Sequence, residues 1–145
     1  MNVIKTWDRT IVVLFVFAFV FAAVAEAGSI ANQSKNTPKE ERVRKSLDAG
    51  KVVLVAFMDI LDPDIVSTKA EINAAANSFS GVVEVVYINS DEKIEDQFRE
   101  KVKVPTDNTV VFIVVFPGRA VAKLEGKDIT RQNLMKSLHS SCGGG

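Results

Sequence analysis

Two runs of apolar, mostly β-branched residues constrain the fold of this chain most strongly. They are KVVLVAF at residues 51–57 and TVVFIVVF at residues 109–116. Runs without polar alternation are typical of strands that are buried on both faces of a sheet, with helices packed above and below. We therefore expect the first run to form the central strand of an α/β domain and the second to lie in the same sheet.

The first predicted helix precedes the central strand. Thr37-Pro38-Lys39-Glu40 is a capping box with proline at the first helical position, and Gly50 can end the helix in the left-handed conformation. Val43 and Leu47 share one face and are expected to be buried. The charged residues are expected on the solvated face: Lys39, Glu40, Glu41, Arg42, Arg44 and Lys45.

Between the two apolar runs, helical and strand patterns alternate. A long helix is predicted from Pro63 to about Ser80, and a strand over residues 82–89. A crossover of this length implies parallel pairing with the central strand. A surface helix is predicted over residues 91–102, with an apolar stripe made of Ile94, Phe98 and Val102.

The last part of the chain predicts a hairpin and a helix. Pro117-Gly118 is a type II turn signal after the second apolar run, and residues 120–124 alternate as a partner strand. A final helix, capped by Asp128 or Thr130, is expected to run through Leu134, Met135 and Leu138. The order α-β-α-β-α-β-β-α predicts an α/β sandwich with a mixed sheet.

Residues 1–27 are typical of a secretory signal peptide. Lys5 and Arg9 give a positive start, residues 11–25 are apolar without interruption, and Ala25-Glu26-Ala27 is a small-x-small cleavage site. We expect export to the periplasm or secretion, with a linker over residues 28–36. The alternative is an uncleaved membrane anchor, although this apolar run is shorter than the roughly 20 residues of a spanning helix.

Charge and cysteine content narrow the choice of partners. Lys plus Arg (18) balance Asp plus Glu (18), so no positive field favours nucleic acid. Cys142 is the only cysteine, which excludes an intramolecular disulfide. It lies in an expected flexible tail, residues 140–145, near the only histidine, His139. An incidental thiol, a disulfide-linked dimer, and a monothiol redox or metal-capturing tail all remain open for Cys142.

Several local sequences, taken in order, resemble the thioredoxin superfamily over residues 37–139. VLVAF at residues 53–57 resembles the strand that leads to the family's active site, and Asn89-Ser90-Asp91 resembles the acidic turn after its next strand. Val104-Pro105-Thr106 resembles the cis-proline motif. The resemblance implies a thioredoxin-like three-layer sandwich that ends in a hairpin and a helix.

The chain lacks the residues that carry out the redox chemistry of this family. Leu61-Asp62-Pro63-Asp64 stands where the family has C-x-x-C, and Ala56 stands where it has a buried acid. Dithiol exchange needs an attacking thiolate and a resolving sulfur, so we expect no dithiol oxidoreductase and no cofactor. The extra residues Asp107-Asn108-Thr109 also leave open whether the bond before Pro105 is cis.

Three aspartates near this loop admit two interpretations. Asp59, Asp62 and Asp64 could bind a hard cation such as calcium. We favour helix capping by Asp62, with Asp64 stabilised by the positive end of the helix. The functional hypothesis is therefore a redox-inactive module that binds a protein or peptide, with Pro105 and Thr106 offering backbone to an extended peptide. The alternative is a monothiol protein that acts through Cys142.

Overall fold

The computed structural model describes residues 36–142, and within them helices and strands follow the predicted order. They are α1 (Pro38–Asp48), β1 (Val52–Met58), α2 (Ile65–Asn77), β2 (Val83–Asn89), α3 (Asp96–Lys101), β3 (Val110–Val115), β4 (Arg119–Glu125) and α4 (Arg131–Cys142). Single 3-10 turns cover Lys93–Glu95 and Gly126–Asp128. The predicted signal peptide, most of the linker and residues 143–145 lie outside the described residues. Within residues 36–142 no helix is long and apolar enough to cross a membrane.

The sheet has the mixed pairing that the sequence predicts. Its strand order is β2-β1-β3-β4. β1 and β2 are parallel, with Val52 opposite Val83, and β1 and β3 are antiparallel, with Phe57 opposite Val110. β3 and β4 form the expected antiparallel hairpin. All seven residues of β1 are buried, so the first apolar run is a central strand.

Alternate residues of β1 face two separate cores, which makes the domain a three-layer sandwich. On one side Val53, Val55 and Phe57 pack with residues of α1 and α3 and with the residue that follows α3; these residues include Val43, Leu47, Phe98 and Val102. On the other side Leu54, Ala56 and Met58 pack with residues of α2 and α4, including Ile72, Ala75, Leu134 and Leu138. The continuous apolar run is needed because neither face of the central strands meets water.

Helix α1 begins with the predicted capping box, but one of its charged residues is buried. The Thr37 hydroxyl accepts from the Glu40 N–H at 3.2 Å, and the Glu40 carboxylate accepts from the Thr37 N–H at 3.3 Å. The expectation that Glu40 faces solvent is wrong, since its side chain is fully buried. Lys101 Nζ lies 3.0 Å from Glu40 Oε1, so a salt bridge to the end of α3 compensates the buried charge.

The predicted apolar stripe of the surface helix is correct at Phe98 and Val102 and wrong at Ile94. Ile94 is 68% exposed, because residues 93–95 form a 3-10 turn whose geometry differs from an α-helix. The buried side chain of that turn is Glu95. Its Oε1 accepts from the Lys39 N–H at 3.1 Å, which satisfies an otherwise unpaired donor in the first turn of α1.

The turn of the β3–β4 hairpin differs from the predicted type II turn. The Phe116–Pro117 peptide bond is cis, and the Gly118 N–H donates to the Val115 carbonyl at 2.8 Å. Proline therefore occupies the third position of a four-residue turn, and a cis proline there defines type VI.

Helix α4 begins as predicted and ends later. The Thr130 hydroxyl accepts from the Asn133 N–H at 3.1 Å, which confirms the cap at Thr130. The expected flexible tail from residue 140 is wrong for its first three residues, because the helix continues to Cys142. The Ser140 and Ser141 hydroxyls donate to the carbonyls four residues earlier and so remain compatible with the helix.

Candidate functional site

The candidate site is the loop over residues 59–64, which joins β1 to the start of α2. Hydrogen bonds tie it to its neighbours on both sides. The Asp59 N–H donates to Thr109 Oγ1 at 3.1 Å, and the Ile60 N–H donates to Ser90 Oγ at 3.0 Å. The loop therefore lies where the carboxyl ends of β1 and β2 meet the start of β3. This position at the ends of parallel strands is where open α/β sheets commonly place their binding sites.

Two aspartates shape the loop by hydrogen bonds to the backbone two residues further on. Asp59 Oδ1 accepts from the Leu61 N–H at 3.0 Å, and Asp62 Oδ1 accepts from the Asp64 N–H at 2.9 Å. This is the local pattern that aspartate adopts in turns. Among residues 36–142 no three His, Cys, Asp or Glu side chains come together in a way that could hold a metal ion.

The expectation that Asp62 caps the long helix is wrong. α2 begins at Ile65, its N-cap residue is Asp64, and the Asp64 side chain makes no capping hydrogen bond. The Ile65 N–H instead donates to the Asp62 carbonyl at 3.1 Å, so a separate turn precedes the helix. A proline at position 63 starts this turn rather than the helix.

We expect Asp62→Ala to lower the free energy of unfolding by only about 0.5 to 1 kcal/mol, because it removes one partly exposed hydrogen bond to a turn. Asp62→Asn keeps an acceptor oxygen and should cost less. Thermal melts of the wild type and both variants, with calcium and with chelator, measure these effects. A calcium-dependent rise in Tm that Asp62→Asn abolishes would instead establish a cation site.

The loop presents apolar side chains and no thiol. Leu61 is 84% exposed and Ile60 is 42% exposed, and Val66 in the first turn of α2 is 78% exposed. Ala56, at the position of the family's buried acid, is fully buried among apolar residues of the α2 and α4 side. Residues 60–66 thus expose three apolar side chains, and residues 59–64 lack the thiols that dithiol exchange needs.

The segment that resembles the cis-proline motif lies nearby with a different geometry. Val104 is buried, whereas Pro105 and Thr106 are exposed. Among residues 36–142 the cis peptide bond is the one before Pro117, so the bond before Pro105, which the sequence left open, is trans. Thr109, the last of the inserted residues, contacts the loop through its hydroxyl, which accepts from the Asp59 N–H.

A polar cluster next to the loop holds the carboxyl end of β2 in place. Glu92 Oε1 accepts from Lys39 Nζ at 2.6 Å and from the Asn89 N–H at 2.9 Å. Burial raises the pKa of Glu92, but these hydrogen bonds and the nearby positive charges outweigh it, so the pKa is lowered overall.

Tyr87 connects β2 to α2. Its hydroxyl donates to Asn73 Oδ1 at 2.6 Å. Burial raises the pKa of Tyr87 to about 12.

Cys142 lies far from this loop. It is exposed at the carboxyl end of α4, a helix of 12 residues and therefore about 18 Å long, whose other end is near the loop. Desolvation at the helix end raises the pKa of the Cys142 thiol. The ring of His139 contacts the ring of Phe79, with centroids 5.1 Å apart. The structure thus brings the three aspartates to one loop and keeps the thiol apart from them.

A groove of about 910 Å³ extends from this loop between α2 and α4. Asp62, Asp64 and Glu71 lie on its α2 side, and Lys127 and Arg131 lie on its α4 side. Glu71 accepts a hydrogen bond from the Arg131 N–H and so joins the two helices. The sequence pattern did not indicate this groove, because its two walls come from helices that are distant in the sequence.

Comparison with a solved thioredoxin structure supports the fold. The structure is similar to that of the germline-specific thioredoxin protein Deadhead (Thioredoxin-1) from Drosophila melanogaster, with 16% identity, a TM-score of 0.54, and coverage of 75% of this chain and 98% of that chain. The Trx4 domain of ERdj5 superposes with 7% identity, a TM-score of 0.48, and coverage of 70% and 92% respectively. No protein-family model matches the chain, and no curated protein matches it in sequence. The chain has a thioredoxin-like fold and, with a single cysteine, no C-x-x-C motif.

Proposed function

We propose that this thioredoxin-like domain works outside the cytoplasm as a redox-inactive module that binds a protein or peptide. The observation that carries the proposal is the exposure of Leu61. This residue lies where the resemblance places the first cysteine of C-x-x-C, and it is 84% exposed. The proposal of export rests on the signal-peptide pattern of residues 1–27.

The exposure of Leu61 supports binding because it occurs together with that of its neighbours. Ile60 and Val66, on either side of the loop turn, also present apolar surface to solvent. A single exposed apolar side chain is ordinary, whereas several exposed together at one end of a sheet are typical of interaction sites. The loop is held by the Asp59 and Asp62 side chains, so little conformational entropy would be lost when a partner binds.

The alternative function is monothiol redox chemistry or metal capture through Cys142. Its support is the exposure of this thiol at the end of α4. Reactive cysteines have a lowered pKa, whereas desolvation raises that of Cys142, and the negative end of the helix also disfavours a thiolate. We therefore retain this function as the second candidate.

We expect Leu61→Ser to reduce capture of the partner at least about tenfold, which corresponds to loss of a well-packed apolar anchor. The measurement is an affinity capture from an extract of the native host's envelope or medium, run with and without reductant. The matched control is Phe116→Ser, because Phe116 is 61% exposed at the opposite end of the sheet. Phe116→Ser and Cys142→Ser should both retain the partner.

Two results would count against this proposal. Equal loss of capture in Leu61→Ser and Phe116→Ser would show that capture depends on nonspecific hydrophobic adsorption and not on the loop. Capture that disappears in Cys142→Ser or on reduction, while Leu61→Ser retains it, would establish the monothiol alternative.

A further inference from the structure

The groove between α2 and α4 carries opposite charges on its two walls, and these charges are not paired with each other. Asp62 and Asp64 lie on the α2 wall, and Lys127 and Arg131 lie on the α4 wall. None of the salt bridges within residues 36–142 involves any of these four side chains. The walls therefore leave room between them for a ligand with charges of its own.

The interior of the groove is partly apolar. Ile129, which is buried, and Met135, which is half-buried, line it between the charged walls. Methionine is flexible and polarisable, so it adapts to side chains of different shapes. The hydrogen bond from the Arg131 N–H to Glu71 fixes the spacing of the two helices. The groove thus combines an apolar base with charged rims, as protein interfaces do.

We propose that this groove binds an extended segment of a protein partner in which one apolar side chain is flanked by a basic and an acidic residue. The apolar side chain packs on Ile129 and Met135, the basic residue faces Asp62 and Asp64, and the acidic residue faces Lys127 and Arg131. This inference rests on the proposed function and specifies the partner's chemistry next to Leu61.

The charge arrangement excludes simpler occupants. A nucleic acid or another polyanion would meet the carboxylates of Asp62 and Asp64, and a uniformly basic segment would meet Lys127 and Arg131. Like charges at short range cost binding energy and suppress wrong partners. Only a segment that carries both signs is attracted by both walls.

The test uses capped nonapeptides with a central leucine and four flanking patterns: lysine before and glutamate after, the reverse order, two lysines, and two glutamates. Titrations followed by ¹H–¹⁵N NMR give the affinity and locate binding through the amides of Thr68 and Gln132, which line the groove. One mixed-charge order should bind at least about fivefold tighter than either single-sign peptide, and 1 M salt should remove this preference because it shortens the Debye length to about 3 Å.

Charge-reversal variants locate the effect on the two walls. Asp64→Lys and Arg131→Glu should each weaken the preferred peptide by about threefold to tenfold, as expected for exposed charge pairs that turn from attraction to repulsion. The matched controls are Asp48→Lys and Arg44→Glu, exposed positions on α1, which should leave the affinity unchanged. Equal binding of all four peptides, absence of binding, or equal effects of wall and control variants would overturn the inference.

This outcome is separable from that of the proposed function. If Leu61→Ser abolishes capture of the native partner while Asp64→Lys and Arg131→Glu leave it unchanged, the loop is the binding site and the groove inference is wrong. Loss of capture in all three variants, with Asp48→Lys unaffected, supports both.

Discussion

Lys101→Met is expected to lower the free energy of unfolding by about 3 kcal/mol, since it leaves the carboxylate of Glu40 buried without its compensating charge. Glu40 is fully buried, and Lys101 Nζ lies within 3.1 Å of both its oxygens. Methionine keeps most of the length and apolar character of the lysine stem, so the loss reports on charge more than on packing. Denaturant unfolding monitored by circular dichroism measures it.

Two further variants make this prediction specific. The double variant Glu40→Gln with Lys101→Met should recover much of the loss, because a neutral amide needs no counter-charge and still accepts from the Thr37 N–H. Lys123→Met removes one partner of the exposed pair with Glu125 and should cost less than about 1 kcal/mol. Similar costs for Lys101→Met and Lys123→Met would show that the Glu40 pair is not a buried one.

Phe98→Ala is expected to cost about 3 to 5 kcal/mol, the range for deleting a fully buried aromatic side chain. Phe98 packs edge to face against Phe57, with ring centroids 5.4 Å apart, and Phe57 packs in turn against Phe112 at 6.0 Å. The truncation leaves a cavity under the end of β1, the strand that leads into the candidate loop.

Phe98→Leu provides the matched comparison, because it keeps an apolar side chain in the same space. It should cost clearly less than Phe98→Ala, at about 1 to 2 kcal/mol. A cost below about 1 kcal/mol for Phe98→Ala, measured by denaturant unfolding with an unchanged m-value, would show that this aromatic cluster is not a packed core.

The parts of the fold that depend on local pattern could be predicted from the sequence. A run such as residues 51–57 can be buried on both faces only in a central strand, and the capping box at Thr37 specifies its helix start from four residues alone. The parallel pairing of β1 and β2 follows from the length of the crossover.

The missed features depend on contacts between residues distant in sequence. Glu40 is buried because Lys101, 61 residues later, reaches it. Ile94 is exposed because the side chain that points inward from this turn is that of Glu95, which accepts a hydrogen bond from the Lys39 N–H of α1. In the candidate site, the position of Leu61 could be predicted from the resemblance, whereas the groove could not. Its walls come from two helices joined by a contact across 60 residues, between Glu71 and Arg131.

A disulfide-reduction assay with insulin tests most directly the claim that the thioredoxin-like fold of this chain works without redox chemistry. The loop over Leu61–Asp64 has no attacking or resolving sulfur, and Cys142 lies at the far end of α4. We therefore predict that the wild type reduces insulin no faster than an equal concentration of free thiol, and that Cys142→Ser removes even this background. Catalytic turnover that persists in Cys142→Ser would contradict the account.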